Sequence, residues 1–431
     1  MLGLTRYQWL VLFAAWLGWG FDVFDGLLFN FVAPICVPNL LHLSASDPAT
    51  KNTVFYWTAA LTSLLLVGWA IGGILFGKIT DRLGRSRTLL LTMLTYALAT
   101  AACAFAPNIY VLAVFRFIAS LGIGGEWAAG AALVSESLPR ERRVVGGALL
   151  YTSASFGLFL ATFVNDALTR RFTSIASDPS LSWRAVFLTG LVPAVVAVLL
   201  RLKVKEPETW QPAEQPAVAE LFAPGLRRRT LGGLSMSVIA LITWWSCSAF
   251  IQVVAARLAA GVHTPTAAAA ALLRTQFITH ASNAFNLGGL IGTLLNIPLA
   301  RLGRRALYRI YFTLSVLALL LTFAPEWPPE TRLTLMFTIG LTVFGVFGSF
   351  PFYLPELFPM RLRGTGGGFT YNFGRIITAP FPFAFGFLVR GGADPLVVLS
   401  WLAVVPAIGA LLAFAGVPVE TRGEADAPEY A

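Results

Sequence analysis

The sequence alternates between long apolar segments and short polar ones. Twelve of the apolar segments reach about 20 residues, the length that crosses the hydrocarbon core of a bilayer as a helix. They lie at 9–33, 54–77, 88–106, 109–134, 144–168, 184–203, 232–256, 275–299, 306–324, 331–354, 364–389 and 394–417. The longest polar interruption follows the sixth segment. The pattern therefore predicts a six-helix unit at 1–203, a cytoplasmic linker at 204–231, a second six-helix unit at 232–417 and a cytoplasmic tail at 418–431.

The composition supports a membrane protein. Hydrophobic residues make up 57% of the chain and charged residues 12%, and the mean hydropathy is +0.73. A soluble domain carries about 25% charged residues, so a soluble enzyme, a disordered chain and a secreted disulfide scaffold are excluded. Three cysteines and three histidines give no metal-binding or disulfide spacing. No phosphate-binding loop is present, and we expect no metal, no cofactor and no enzymatic activity.

The cations predict the orientation. With the N-terminus placed inside, 21 of the 31 Lys and Arg residues fall in cytoplasmic segments and eight in outer segments. Cytoplasmic loops carry such an excess of positive charge. The chain is therefore predicted to be a multi-pass protein of the inner membrane with both termini in the cytoplasm. Because topology accounts for the net charge of +10, the lipid bilayer and not nucleic acid is the expected partner.

Two motifs recur at nearly the same offset. Residues 77–85 match 296–304 at an offset of 219, and residues 136–151 match 356–371 at an offset of 220. The second match includes Tyr151 and Tyr371. Two motifs at one offset, near half the chain length, indicate a parallel duplication of a six-helix unit. Transporters built in this way hold their substrate site near the midplane, between the two halves.

Four motifs resemble those of the major facilitator superfamily. GKITDRLGR at 77–85 is similar to the loop between helices two and three, and RFIASLGIGG at 116–125 to helix four. EPET at 206–209 and VET at 419–421 are similar to the motifs that close helices six and twelve. The resemblance covers essentially the whole chain. It implies an all-α integral membrane fold of twelve transmembrane helices in two six-helix bundles, alternating access and a monomeric state.

The loop motifs are interpreted as gates. Residues of the first loop motif with this predicted role are Gly77, Asp81, Arg82, Gly84 and Arg85. The ion pairs predicted to hold the cytoplasmic side closed are Glu136 with Arg143 and Glu356 with Arg363. The alternative is that these cations only set the orientation. In the second copy, Asn296 and Ala300 replace the expected Gly and Asp, which predicts an asymmetric inner gate.

The first span narrows the resemblance. WLGWGFDVFDGLLFNFVAP at 16–34 resembles the proton symporters of sialate, aromatic acids and short monocarboxylates, which carry D-x-x-D in helix one. Residues 354–375 are similar to the same branches. The resemblance implies proton-coupled symport of a small organic anion. A sugar or polyol facilitator, a proton-coupled drug antiporter, and a non-transporting membrane receptor or enzyme stay open as alternatives.

Charged residues inside the spans are the candidates for proton coupling. Asp22 and Asp25, three residues apart, share a helix face, and two close carboxylates in a low dielectric cannot easily both ionise. Asp25 and Arg116 are predicted at matching depths, and the resemblance implies that they pair. Glu126 is a further coupling candidate. Asp166, near the outer end of span five, is expected to be solvated. The alternative for each pair is a purely structural contact.

Arg375 is the candidate for binding the substrate anion. It is predicted near the midplane, with no acidic residue on its own helix, and a guanidinium offers a planar fork to a carboxylate. The alternative is a salt bridge to Glu126, Asp22 or Asp25. Neutral polar residues predicted to complete the pocket are Tyr371, Asn372, Tyr151, His280, Asn283, Asn286 and Gln252.

Overall fold

The computed structural model describes residues 4–43, 48–83, 85–138, 142–172, 175, 178–201, 217–359 and 362–420. Each predicted span corresponds to one helix or to consecutive helical pieces, which we number α1 to α12. Their bounds are α1 Arg6–Leu40, α2 Pro48–Leu83, α3 Arg85–Cys103, α4 Ile109–Ser137, α5 Arg143–Asp166, α6 Pro179–Leu188 and Leu191–Arg201, α7 Arg227–Ser248 and Ile251–Ala260, α8 Ala267–Leu299, α9 Arg304–Phe323, α10 Pro329–Glu356, α11 Arg363–Thr378 and Pro380–Arg390, and α12 Pro395–Trp401 and Val404–Phe414.

The helices have the length and composition of membrane spans. In the described part of the chain, eight helices are long and apolar enough to cross a bilayer, and three shorter helices are also apolar. Large apolar side chains such as Leu317, Phe387 and Leu411 are exposed on the outside of the helices, where lipid covers them in a bilayer. The prediction of an all-helical membrane fold is confirmed.

Two spans begin in the same way in the two halves of the chain. Asp178 caps α6 and Asp394 caps α12, each by accepting hydrogen bonds from backbone amides of the first helical turn. In both spans a proline follows as the first helical residue, where its missing amide proton costs nothing. These capping residues set where α6 and α12 start.

The internal duplication recurs in the packing. A Cβ atom added to Gly72 of α2 would overlap the backbone of Leu121 in α4. A Cβ atom added to Gly292 of α8 would overlap the backbone of Leu341 in α10. Both residues of the second contact lie 220 positions after those of the first. Glycine permits this close approach of helix backbones, so the same helix contact is built twice.

We call α1–α6 the N-terminal half and α7–α12 the C-terminal half. The end at which α2 leads into α3 is called the inner end, since it is predicted to be cytoplasmic, and the opposite end is the outer end. At the outer end the halves touch through aromatic side chains. The rings of Phe55 and Phe250 lie 5.3 Å apart, those of Tyr56 and Phe383 5.8 Å apart, and the Arg390 guanidinium lies over Tyr56.

The first part of the predicted linker, residues 204–216, lies outside the described residues. Its last part forms a short 3-10 helix, Val218–Phe222, before α7 begins at Arg227. The Thr230 hydroxyl donates a hydrogen bond of 2.6 Å to the Leu221 carbonyl, which fastens this segment to α7. The boundaries between the two predicted units stay a prediction.

Helix α10 is interrupted in the middle of the membrane span. After the α-helical Pro329–Ile339, a π-helical segment covers Gly340–Phe344 and a 3-10 segment covers Gly345–Ser349. Such interruptions loosen the regular i to i−4 hydrogen bonds and often mark functional positions. Here they carry Phe344 and Phe347 to the contact between the halves.

Candidate functional site

The two acidic residues of α1 lie deep in the protein. Asp22 and Asp25 are both fully buried. Because they stand one helical turn apart, they point toward the same side of α1. Burial of a carboxylate in a membrane protein requires a partner or a proton, so the surroundings of each residue decide its chemistry.

Asp25 forms the ion pair that its predicted depth and the resemblance indicate. The Nη1 of Arg116 lies 3.3 Å from the Asp25 Oδ1 and 3.1 Å from its backbone carbonyl oxygen. Nη2 donates to the Gly26 carbonyl at 2.6 Å, and the Thr100 hydroxyl also donates to Oδ1. Arg116 is therefore held by one charged and two neutral acceptors, all on α1. Loss of the Asp25 charge would leave two of these three contacts in place.

Asp22 interacts electrostatically with the other buried cation. Its carboxyl group lies within electrostatic range of the Arg375 guanidinium on α11. Asp25 thus forms an ion pair with Arg116 in its own half, and Asp22 has a longer-range electrostatic interaction with Arg375 in the opposite half. These two interactions connect the candidate coupling residues to the candidate anion site.

The environment of Asp166 differs from the one predicted. Asp166 is not solvated: it is buried, and its carboxylate accepts hydrogen bonds of 2.7 and 2.9 Å from Arg170 and 2.9 Å from Arg171. These two arginines follow within five residues on the π-helical turn Ala167–Arg171, so the charge is satisfied locally. The side chain of Glu126 lies outside the described residues.

Arg375 is buried at the contact between the halves. Its Nη1 donates to the Asn372 Oδ1 at 2.5 Å, and its Nε has no hydrogen-bond partner among the described residues. The guanidinium carbon lies 4.1 Å from the centroid of the Trp69 ring and 4.4 Å from that of the Tyr371 ring. No carboxylate whose position is described lies within ion-pair distance of this guanidinium. Arg375 thus presents a desolvated cation with a donor left over.

Aromatic rings from both halves form a cluster beside this cation. Trp69 stands edge-on to Trp245 of α7 at 5.7 Å and also contacts Trp19 of α1 at 6.3 Å. The further members of this cluster are Tyr151, Trp244, Phe344, Phe347 and Tyr371, each in ring contact with at least one other. We call these eight rings the aromatic cluster. Its walls are large, rigid and apolar, and they suit a planar apolar ligand body.

The repeat mates Tyr151 and Tyr371 meet within the aromatic cluster. Their hydroxyl groups lie 3.1 Å apart, and both residues are buried. Tyr371 is also the ring that lies under Arg375. The sequence pairs these residues by their offset, and the structure brings them into direct contact across the two halves.

The other predicted pocket residues divide into two groups. Asn372 holds Arg375, and Asn286 donates to the Thr162 hydroxyl of α5 at 3.2 Å, across the two halves. Gln252 is buried, with its Nε2 3.5 Å from the Ser282 hydroxyl. His280 and Asn283, by contrast, are exposed on the outside of α8.

His280 therefore lies away from Arg375. Its Nε2 is 3.3 Å from the Thr334 hydroxyl of α10. A spacing of three residues rotates successive side chains around a helix, so His280, Asn283 and Asn286 do not all share the buried face. His280 and Asn283 are both exposed and therefore lie outside the proposed pocket.

The inner end of the C-terminal half shows a different ion pair from the predicted one. Glu356 pairs with Arg304 at the start of α9, through hydrogen bonds of 3.0, 3.0 and 3.2 Å. Arg363 donates from its Nε to the Phe358 carbonyl. The prediction that Glu356 pairs with Arg363 assumed that charges close in sequence meet. The fold instead brings the end of α10 against the start of α9.

Glu420 completes this inner-end arrangement. Its carboxylate accepts hydrogen bonds from the backbone amides of Arg304 and Arg305, at 2.6 and 3.2 Å. These amides are the first two of α9, where a negative charge is favoured by the helix dipole. Of the predicted gating residues in the N-terminal half, the side chains of Asp81, Arg82, Arg85, Glu136 and Arg143, together with Gly77 and Gly84, lie outside the part that is described.

The contacts of Asn296 explain why the second loop motif has asparagine at this position in place of the expected glycine. Its Nδ2 donates to the Gly345 carbonyl at 2.7 Å and lies within hydrogen-bond distance of the Tyr311 hydroxyl. Gly345 begins the 3-10 segment of α10. An amide at position 296 thus supplies a donor to the interrupted helix, which the glycine expected at this position could not do.

Sequence reasoning missed Trp69, whose ring covers the guanidinium of Arg375. No local pattern marks it, since α2 is apolar along its length and tryptophans in spans are usually packing residues. In the described residues, no group of three or more His, Cys, Asp and Glu side chains could hold a metal ion.

Comparison with known proteins decides the family. A family model described as Major Facilitator Superfamily matches residues 9–382. The chain belongs to the Major Facilitator Superfamily. The match confirms the family that the loop and helix-four motifs resemble. It also confirms the prediction of a multi-pass membrane transporter.

Members of the superfamily that the chain is similar to include two carriers of small organic molecules. It is 31% identical over 427 residues to a probable 4-methylmuconolactone transporter of Cupriavidus pinatubonensis, covering 96% of this chain and 92% of that protein. It is 28% identical over 350 residues to the cis,cis-muconate transport protein of Acinetobacter baylyi, covering 77% of this chain and 78% of that protein.

A solved structure shares the fold. The proton:xylose symporter XylE, bound to 6-bromo-6-deoxy-D-glucose, superposes with a TM-score of 0.72 at 16% identity, covering 97% of each chain. At this identity the likeness establishes the superfamily fold of this chain and carries no information about its substrate.

Proposed function

We propose that the chain is a secondary transporter that carries a small organic carboxylate together with a proton across the inner membrane by alternating access. The observation that carries this proposal is Arg375. It is a buried guanidinium at the contact between the halves, with an unpartnered Nε and walls of aromatic rings. A cation in this position is costly unless an anion joins it, and a substrate carboxylate is such an anion.

The relatives support the same class of substrate. The muconate protein is named for an unsaturated dicarboxylate, and the muconolactone protein for a related compound. The aromatic cluster suits the apolar body of such acids, and Arg375 suits a carboxylate. The likeness to XylE gives the fold alone, so no observation favours a sugar as the substrate.

Proton coupling is proposed for the acids of α1. Asp25 is bonded to Arg116, whose remaining acceptors are neutral carbonyls. Protonation of Asp25 would therefore weaken the hold on Arg116 without abolishing it. Asp22 interacts electrostatically with Arg375, so an arriving substrate anion and the Asp22 charge would both be attracted to one guanidinium. Protonation of Asp22 would favour the anion, which links the two cargoes in one direction.

The test is uptake into proteoliposomes. We expect purified protein to accumulate a carboxylate from a panel that includes benzoate, lactate, cis,cis-muconate and N-acetylneuraminate, and to do so faster with an inward proton gradient. The Arg375→Gln variant should lose at least tenfold in uptake, since charged hydrogen bonds contribute about 1.5–3 kcal/mol each. Arg257→Gln is the matched control, because Arg257 is a partly exposed arginine 3.7 Å from Asp394 at the outer end.

Two results would contradict the proposal. One is Arg375→Gln transporting the accepted acid at the wild-type rate. The other is a protein that accumulates only uncharged solutes and does not respond to the proton gradient. Uptake of the acid without any response to the gradient would retain the anion site and remove the coupling role of Asp22 and Asp25.

A further inference from the structure

Two aromatic rings that come from different halves lie against the Arg375 guanidinium. Tyr371 belongs to α11 and lies one turn before Arg375, whereas Trp69 belongs to α2. Trp69 and Tyr371 do not form a ring contact with each other within the described part of the chain. Because both rings lie within 4.4 Å of the guanidinium carbon, they meet the guanidinium from different sides.

The orientation of the guanidinium in its own plane is also fixed. Nη1 is held by the Asn372 Oδ1 at 2.5 Å, while Nε is buried without a partner. A guanidinium donates its hydrogen bonds in its own plane, and carboxylates bind it edge-on. The unpartnered Nε therefore offers the edge to which the carboxylate of a ligand would bind, beside the two rings.

This geometry restricts the carbon next to the carboxylate. In a conjugated acid that carbon is planar, so the ligand continues in the plane of the carboxylate. In a saturated acid, substituents project above and below this plane, toward the rings. The neighbouring Trp245, 5.7 Å from Trp69, extends the aromatic wall beyond the guanidinium. The site should accordingly discriminate between acids by shape next to the carboxylate.

We infer that Trp69 is a specificity-determining residue that selects carboxylates conjugated to a planar carbon framework over saturated carboxylates of the same size. The inference rests on the proposed function, because it assumes that Arg375 binds the substrate carboxylate. Trp69 is suited to this role because it comes from the half opposite Arg375. Its ring lies against the guanidinium only when α2 lies against α11.

The packing of α2 against α11 holds Trp69 in this place. Gly73, one turn after Trp69, faces Asn372, and a Cβ there would lie 3.1 Å from the Asn372 Nδ2. The absence of a side chain at Gly73 lets α2 approach the residue that orients Arg375. The same stretch of α2 thus sets both the ring above the guanidinium and the distance to its amide partner.

The experiment compares acids that differ only in saturation. Binding to the purified full-length protein is measured by isothermal titration calorimetry with benzoate against cyclohexanecarboxylate, and with cis,cis-muconate against adipate. We expect the wild type to bind the conjugated member of at least one pair about tenfold or more tightly, a ratio typical of a shape restriction in a pocket. In Trp69→Met, which replaces the planar indole with a flexible apolar chain, the ratio should fall below about threefold.

Two further variants separate specificity from folding. Trp69→Phe retains a planar face and should keep most of the preference, so it tests the inference even where Trp69→Met folds poorly. Trp57→Met changes a tryptophan of the same helix whose ring contacts are with Tyr56 and Tyr110 near the outer end. Its ratio should equal that of the wild type.

The outcomes distinguish this inference from the proposed function. A wild type that binds both members of each pair equally, or a Trp69→Met variant that keeps the wild-type ratio, overturns the role of Trp69 and leaves the transporter of carboxylates intact. Failure of the wild type to bind any of the four acids, or binding that Arg375→Gln leaves unchanged, overturns the anion site and this inference with it.

Discussion

The hydroxyl groups of Tyr151 and Tyr371 lie 3.1 Å apart, although the residues are separated by 220 positions and belong to opposite halves. They are equivalent residues of the internal repeat, so the duplicated unit contacts its own copy at this point. Both side chains are buried. A hydrogen bond between equivalent residues links the two halves near the proposed anion site.

Removal of either hydroxyl should weaken the contact between the halves. We expect Tyr151→Phe and Tyr371→Phe each to lower the free energy of unfolding by about 1 kcal/mol, the usual net contribution of one hydrogen bond. The double variant should lower the free energy of unfolding by no more than about 1 kcal/mol, because both single changes remove the same hydrogen bond between the two hydroxyls. Thermal unfolding of the purified protein measures all three.

The double-mutant cycle tests whether the two hydroxyls interact energetically. Strictly additive losses would mean that the two hydroxyls act independently, and the contact across the halves would then have no energetic content. Tyr308→Phe serves as a comparison, because its hydroxyl bonds Ser349 inside the C-terminal half.

Neutralisation of Asp25 should cost stability and abolish coupling together. Asp25→Asn leaves Arg116 buried with only carbonyl acceptors, and breaking a buried ion pair costs about 3–5 kcal/mol. The two remaining backbone contacts place the expected loss near the lower end, about 3 kcal/mol. Uptake of the accepted acid should no longer respond to a proton gradient.

Asp166→Asn separates these two effects. Asp166 is also a buried aspartate bonded to arginines, but it stands near the outer end of α5. Its substitution should lower stability and leave the response to the proton gradient unchanged. Asp22→Asn, near Arg375, should retain exchange of the acid and lose gradient-driven accumulation. Gradient-driven uptake that survives in both Asp22→Asn and Asp25→Asn would refute the coupling role.

The ion pair between Arg304 and Glu356 should contribute measurably to stability. The pair is part-buried and bidentate, and Arg304 also lies over the Phe352 ring. Glu356→Gln should therefore lower the free energy of unfolding by about 1.5 kcal/mol. The comparison is Asp394→Asn, which breaks an exposed pair with Arg257 and should cost less than about 1 kcal/mol. Thermal unfolding measures both losses of stability. Equal losses would contradict the prediction that the part-buried pair contributes more than the exposed pair.

The repeated glycine contacts should tolerate no side chain. Gly292→Ala places a methyl group against the backbone of Leu341, and Gly72→Ala does the same against Leu121. Overpacking of this kind costs about 1–3 kcal/mol. Gly368→Ala in α11 is the control, since an added Cβ there meets no atom within 4 Å and alanine favours helix. Unchanged melting temperatures for Gly72→Ala and Gly292→Ala would show that these helices have room to separate.

The spans were predictable because their signal is local. About 20 apolar residues in a row suffice to mark a membrane helix, and the depth of a charge follows from its position along the helix. Matching depth agrees with the pair of Asp25 and Arg116 that the family resemblance implies. Depth alone does not fix the rotation of a helix about its axis. A prediction based on position along α8 therefore places His280 and Asn283 in the pocket, although both face outward.

Contacts between distant helices were less accessible to sequence reasoning. Trp69 and Arg375 meet only because α2 packs against α11, and nothing in either segment indicates that contact. The ion pair of Glu356 shows a related effect: proximity in sequence predicts Arg363, whereas the fold brings Arg304 to Glu356. The Tyr151 and Tyr371 contact could be found from sequence because the repeat relates the two residues directly.

The interruption of α10 between Gly340 and Ser349, supplied with a donor by Asn296, bears on how the two halves move. A span whose backbone is already irregular at mid-membrane can change its register or bend there while its loosened carbonyls stay satisfied. Flexing at this point would shift Phe344 and Phe347 against Tyr151 without displacing the rest of the C-terminal bundle. Under the proposed alternating access, the protein would deform within this one span as well as rock as two blocks, and its two six-helix units would differ in their mechanical response.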